Sequence, residues 1–163
     1  MGTPTVFVIA DLHLGHEKLA VIRGFSSADE HDNHIVNAWN EKVTKRDVVY
    51  VLGDVFRLHR LPELKGTKKL ALGNHDTKNV NGYADHFSQV RSCFEFDSCL
   101  LTHIPVHPSQ FSRWELNVHG HTHDKKINDL RYIPVSVEHT VNFAPVPLRS
   151  LLEERRRFLR SAV

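Results

Sequence analysis

The chain has 163 residues, 40% of them hydrophobic and 25% charged, with a formal net charge of +2. That length suits one domain over 1–163 that buries its core without disulfides. The charge is too small to argue for a nucleic-acid or membrane partner by field strength, and no apolar run approaches the ~20 residues of a membrane span.

Residues 4–10 (PTVFVIA) are an unbroken apolar, β-branched run, which predicts a strand buried on both faces. The run is too short, and lacks the basic flank, to be a secretory leader. It leads directly into D-L-H-L-G-H at 11–16. Asp11 and His13 are spaced i, i+2, and alternate residues at a strand end point the same way, so a carboxylate and an imidazole can converge on one ion. A polar turn would explain the pair equally well. Ser27 opens S-A-D-E, a capping-box pattern with Glu30, and predicts a helix to about Val43. Ile35, Val36, Trp39 and Val43 are its apolar stripe.

Residues 47–52 (DVVYVL) predict a second strand, ended by Gly53 and Asp54. Glycine permits a tight turn there, and a carboxylate has two oxygens to offer to two cations. Residues 68–72 (KKLAL) predict a third, ended by Gly73, Asn74, His75 and Asp76. A hairpin is expected from Cys93 to Thr102, with His103 just beyond it. Cys93 and Cys99 could pair within it, but reduced thiols of a cytoplasmic protein are the simpler reading. Two more strands are predicted at 116–120 (LNVHG) and 131–137 (RYIPVSV), the first ended by His121 and His123 around Thr122. Leu148 to Arg160 predicts a helix whose charged face, Glu153, Glu154, Arg155 and Arg157, reads as a solvated surface.

Thirteen histidines against two cysteines is a skewed ratio. Single histidines after strands are usually structural, but here the residues combine. Five segments at strand ends supply three carboxylates, one amide and five imidazoles. In α/β sheets, ligand chemistry sits beyond the carboxyl ends of the strands.

The set D-L-H at 11–13, G-D at 53–54, G-N-H-D at 73–76, His103 and G-H-T-H at 120–123 resembles the calcineurin-like metallophosphoesterase superfamily. The resemblance runs from Asp11 to His123. It implies an α/β fold: a four-layer α-β-β-α sandwich of two mixed sheets flanked by helices, with no cap domain. It implies that Asp11, His13 and His123 hold one divalent metal ion, that Asn74, His103 and His121 hold a second, and that Asp54 bridges them. His75 would face the substrate as the catalytic residue, oriented by Asp76. The expected reaction is phosphoester hydrolysis by a metal-bridging hydroxide. Nitrogen and oxygen ligands without thiolate suit Mn, Fe, Zn, Ni or Co, with Mn or an Fe/Zn pair favoured by the resemblance.

For substrate contact, His16 and His107 are the foremost candidates, each within four residues of an expected ligand. Arg23, Arg57, His59, Arg60 and Lys78 also lie near the motifs, although solvated roles would explain them. No basic stretch interleaved with aromatics marks a nucleic-acid track. The expected partner is therefore a small phosphodiester, 2′,3′-cyclic nucleotides included. A phosphomonoesterase or protein phosphatase, a nuclease, and a non-catalytic scaffold of the same fold are the competing readings.

Overall fold

The computed structural model describes residues 3–76 and 80–161, so Lys78 lies outside the described residues. Strand β1 (Val6–Ile9) divides its side chains between two cores, with Phe7 and Ile9 on one side and Val8 on the other. Strand β2 (Val48–Val51) repeats the division, with Val49 and Val51 opposite Tyr50. Both strands are buried on two faces, which is why their sequences are apolar without alternation.

The first sheet adds β3 (Thr67–Ala71), β4 (Gln89–Arg91) and β9 (Val146–Pro147), in the order β4-β3-β2-β1-β9. All its pairings are parallel except that of β1 with β9. The second sheet has the order β5-β6-β7-β8, from β5 (Cys93–Phe96), β6 (Cys99–Thr102), β7 (Leu116–His119) and β8 (Tyr132–Pro134). Its first pairing is the expected hairpin, turned by Asp97 and Ser98 at φ 49° and 62°. Two successive positive φ values match the right-handed twist of the flanking strands. Cys93 lies opposite Thr102 and Cys99 opposite Phe96, and both thiols are free.

The two sheets pack face to face, with Val8, Tyr50, Leu52 and Ala71 against Phe94, Leu101, Val118 and Ile133. The other face of the first sheet is covered by α2 (Ala28–Lys42), whose Ile35, Val36 and Trp39 are buried with Val43 just beyond. Each such side chain contributes about 1.5–3 kcal/mol on burial. Ser27 caps α2 by accepting the Glu30 amide at 3.1 Å. The reciprocal half of the expected capping box is shifted by one residue, since the Glu30 carboxylate accepts from the Ser26 amide and hydroxyl instead. The fold is thus an α/β sandwich of two mixed sheets, as the resemblance implies.

Helix α4 (Leu148–Ser161) inserts Leu148 and Leu152 into the core between the sheets. Arg155 is not part of a solvated face, as its charge pattern suggested. Its guanidinium donates to the carbonyls of Leu130 and Tyr132 at 2.7 and 2.9 Å, fastening the helix to the start of β8. Two short helices, α1 (Glu17–Ile22) and α3 (Val80–Tyr83), complete the set. No helix among the described residues is long and apolar enough to cross a membrane.

The two sheets are joined at one end of the sandwich. Ala10 donates to the carbonyl of Val135 at 2.9 Å, and Val137 donates back to the carbonyl of Ala10 at 3.1 Å. The carboxyl ends of β1 and β8 therefore meet, and the loops that follow the strands of both sheets face a common region.

Candidate metal centre

The loop after β1 is laid along the loop after β2. Asp11 donates to the carbonyl of Gly53 at 3.0 Å, and His13 to the carbonyl of Asp54 at 2.8 Å. Asp11 and His13 converge, but not through the strand pleat that their i, i+2 spacing suggested. Both are left-handed, at φ 59° and 48°, so the chain turns between them. Asp54, His121 and His123 share this conformation, at φ 55°, 69° and 50°. An L-residue costs of order 1 kcal/mol in that region. Strain collected at one set of loops is a mark of a functional site.

Glycines make room for these side chains. A Cβ on Gly53 would meet the ring of His103, one on Gly73 the carboxylate of Asp54, and one on Gly120 that of Asp11.

Asp54 spans the gathered groups. Its Oδ2 lies 3.4 Å from His13 Nε2, and its Oδ1 lies 3.5 Å from His103 Nε2. On the His103 side, Nδ1–H donates to the carbonyl of Leu52 at 2.9 Å. A carbonyl can only accept, so Nδ1 carries a proton, and in the neutral form of the ring the Nε2 lone pair points inward. That lone pair faces Asn74 Oδ1 at 2.8 Å and His121 Nδ1 at 3.2 Å, and these two are 3.0 Å apart.

On the other side, Asp11 Oδ2 accepts from the Ser136 hydroxyl at 2.6 Å and from the His121 amide at 2.9 Å. Asp11 Oδ1 and both ring nitrogens of His13 are buried and have no hydrogen-bond partner among the described residues. Ligand atoms of Asp11, His13 and His123 lie within 4.8 Å of one another, as do those of Asp11, Asp54 and His103. Asp11 therefore stands at the junction of both groups, beside Asp54.

The electrostatics agree with the geometry. Burial pushes the His13 imidazole down to about 2, so it is a neutral donor of electron pairs. Burial raises the Asp11 carboxyl against the lowering effect of the Ser136 hydrogen bond. Unpartnered buried acceptors cost free energy, and acceptors converging on one another are what a cation would satisfy. The residues present fit one or more divalent ions with nitrogen and oxygen ligands.

His75 is exposed, with Nε2 4.0 Å from Asp54 Oδ2 and its ring edge-on to His13 at 5.2 Å. Its backbone amide donates to Asp54 Oδ1 at 2.9 Å. Asp76 does not orient it. The buried Asp76 carboxylate accepts from the amides of Asp54, Val55 and Gly73 at 2.8–2.9 Å and from the Tyr83 hydroxyl at 2.9 Å. Those donors fill its lone pairs, and no bond to the His75 ring is among the interactions of the described residues.

His16 reaches the centre. It caps α1 by accepting the Leu19 amide, and its ring lies 5.5 Å from that of His13 and 6.5 Å from that of His75. His107 has a local role instead, capping the turn at 108–112 through Ser109. Among the basic candidates, Arg57 is exposed over the Phe56 ring. Arg60 pairs with Glu63 and Asn33, and His59 lies 3.4 Å from the buried Asp32. Arg23 is buried and bonded to Glu138.

Sequence reasoning missed Phe56, Ser136, Glu138 and Tyr83. Phe56 holds a left-handed backbone, φ 77°, with its ring 4.7 Å from that of His16 and 6.2 Å from that of His75. For a bulky residue this conformation is an outlier. Its only sequence signal is its place two residues after Asp54.

The chain is similar to the gene 66 protein of Mycobacterium phage D29, 32% identical over 75% of this chain and 80% of that protein. It is 31% identical to the gene 66 protein of Mycobacterium phage L5, over 72% and 77%. An uncharacterized protein of Methanocaldococcus jannaschii matches at 28% identity over 91% and 89%. No protein-family model matches. Among solved structures, a protein of unknown function from Aquifex aeolicus shares the fold, with TM-score 0.76 and 20% identity over 93% of this chain and all of that one. A conserved uncharacterized protein from Streptococcus pneumoniae TIGR4, described as a predicted phosphoesterase, has TM-score 0.42 and 16% identity over 83% and 72%, below the level of a shared fold.

Proposed function

Because this chain belongs to the family of the gene 66 proteins of Mycobacterium phages D29 and L5, whose names carry no activity, we propose its function from its own side chains: a dinuclear-metal phosphoesterase that hydrolyses small phosphodiesters. The observation that carries the reading is the meeting of side chains from the strand-end loops around Asp11 and Asp54, where Asp11 Oδ1 and both ring nitrogens of His13 are buried with no hydrogen-bond partner among the described residues. Asp11, His13 and His123 would hold one cation, Asn74, His103 and His121 the other, with Asp54 between them. Nitrogen and oxygen donors suit Mn, Fe, Zn, Ni or Co. When bound, a pair of such ions supplies Lewis-acid polarisation of a phosphoryl group and a nucleophile available near neutral pH.

The remaining chemistry belongs to the chain. His75 is exposed beside Asp54, so its imidazole can give a proton to the leaving oxygen of a bound ester. General acid help of this kind is worth roughly 100- to 10,000-fold in rate. His16 and Phe56 stand beside His75 and would contact the group carried by the ester. A half-buried aromatic ring favours an ester that presents a flat apolar face, such as an aryl group or a nucleobase.

The test is hydrolysis by the Mn-loaded protein of a bis-aryl phosphate, a mono-aryl phosphate and 2′,3′-cyclic nucleotides. Faster turnover of the diesters is expected. A much faster monoester rate would replace the diesterase reading with a phosphomonoesterase, and no turnover of any ester would remove the enzyme.

A further inference from the structure

Glu138 lies two residues after Ser136, the residue that bonds Asp11, on the short turn Val137–His139. Its Oε1 accepts from His123 Nδ1 at 2.9 Å and from Arg23 Nε and Nη2 at 2.9 and 2.7 Å. Arg23 spends its other donors on the first ligand loop. Nη2 donates to the carbonyl of Asp11 at 2.8 Å and Nη1 to that of Leu12 at 3.2 Å, while Nη1 also meets His31 Nε2 at 2.9 Å. His31 Nδ1 lies 3.0 Å from Asp32 Oδ1, which accepts the amide of Gly15 at 3.1 Å. The loop from Asp11 to Gly15 is thus held on both sides of His13, and the same arginine reaches His123 through one carboxylate.

The Arg23 side chain is 2% exposed, that of Glu138 16%. A buried ion pair is a poor way to stabilise a fold, since apolar residues of the same volume do as well or better. What such a pair does provide is fixed orientation. A carboxylate can only accept, so His123 carries a proton on Nδ1, and in the neutral ring, the form that can ligate a metal, the lone pair is then on Nε2.

We propose that Glu138 and Arg23 are positioning residues for the half of the centre formed by Asp11, His13 and His123, Glu138 by setting the tautomer and ring plane of His123 and Arg23 by locking the Asp11–Leu12 backbone and Glu138 together. The inference rests on the two-metal reading above. It assigns these residues no contact with substrate.

The experiment is titration of metal-stripped protein with Co(II), followed by equilibrium dialysis and visible absorption, for wild type, Glu138→Gln, His123→Ala and the double variant. Wild type should bind two equivalents. Glu138→Gln should weaken one of them by roughly 10- to 100-fold and leave the other unchanged, the usual loss when the partner of a ligating histidine is removed. Removing Glu138 in the His123→Ala background should weaken that equivalent no further. A merely structural role would instead give additive losses or weaken both equivalents alike, and either result would overturn the assignment. So would two equivalents in Glu138→Gln bound as tightly as in wild type. Less than two equivalents in wild type would overturn the two-metal reading, and this inference with it. Should Glu138→Gln fail to fold, Arg23→Leu with Glu138→Gln removes both charges and is read in the same way.

Discussion

The carboxylate of Asp76 holds the loop of Asp54: Oδ2 accepts the Asp54 amide at 2.8 Å and Oδ1 the Val55 amide at 2.9 Å. The G-N-H-D motif therefore divides its work, with His75 facing out and Asp76 facing in. Tyr83 adds its hydroxyl to the buried carboxylate, and burial followed by the Asp76 charge pushes that hydroxyl well above its ordinary range. Asp76→Asn places an amide N–H against backbone donors, and each buried donor left unpaired costs about 1–3 kcal/mol. The expected result is a clear fall in the melting temperature of metal-stripped protein. If Asp76 served only to orient His75, stripped Asp76→Asn would melt like wild type.

Asp54 and His75 should separate binding from catalysis. Asp54→Ala removes the carboxylate that faces both His13 and His103, and should abolish metal retention and activity together. His75→Ala truncates an exposed ring and should stay within about 0.5 kcal/mol of wild-type stability. It should retain its metals and lose roughly 100- to 10,000-fold in rate. Metal content by elemental analysis, read beside turnover, checks both. Metal loss from His75→Ala would make His75 a ligand. Chelation of wild type should also lower its melting temperature, because an ion bound only by the folded state stabilises it.

What could be read in advance has a physical reason. Asp11, His13, Asp54, Asn74, His103, His121 and His123 sit where buried strands end, so each follows an apolar run that marks its place. Glu138 and Ser136 lie in an irregular segment with no period to flag them, and their roles exist only because β1 and β8 meet through Ala10. Arg23 looked like a surface cation near a motif, since nothing local shows that its partner is 115 residues away. The short elements went unread for similar reasons. Helix α1 has six residues and is capped by a histidine rather than by Ser, Thr, Asp or Asn, and β9 has two residues, one of them proline. The resemblance implied that Asp76 orients His75, whereas the Asp76 carboxylate is buried on the amides of Asp54, Val55 and Gly73 and His75 is exposed.

Gly53 tests how tightly the loops are packed. Its φ is +82°, and an added Cβ would lie 2.5 Å from His103 Nδ1 and 2.7 Å from the Gly73 Cα. The conformation alone costs an alanine about 1 kcal/mol, and the Gly73 backbone cannot yield as a flexible side chain would. Gly53→Ala should therefore displace His103 from the Leu52 carbonyl and weaken the Asn74 side of the centre. Co(II) titration should show one equivalent impaired, together with a lower melting temperature. Unchanged binding of both equivalents would mean that the loop has slack the geometry does not suggest.

Asp47, away from the centre, gives a pH dependence with a definite sign. Its buried carboxylate accepts the Thr5 amide at 2.8 Å and the Thr44 amide and hydroxyl at 2.7 Å each. Burial by itself would raise the carboxyl, but these donors outweigh it and hold the group below the ordinary carboxylate range. A group depressed in the folded state stabilises above its unfolded value, near 3.9, and loses that contribution as pH falls through its folded value. Asp47→Asn should therefore be less stable than wild type at pH 7, by about 1–3 kcal/mol for the donors it leaves unpaired. The gap should begin to narrow below about pH 4, where the unfolded chain takes up the proton, and go on closing as the pH falls through the lower folded value. Urea midpoints at pH 7, 5 and 3 measure it, and a gap that stays constant down to pH 3 would show that the Asp47 charge is not what the three donors recognise.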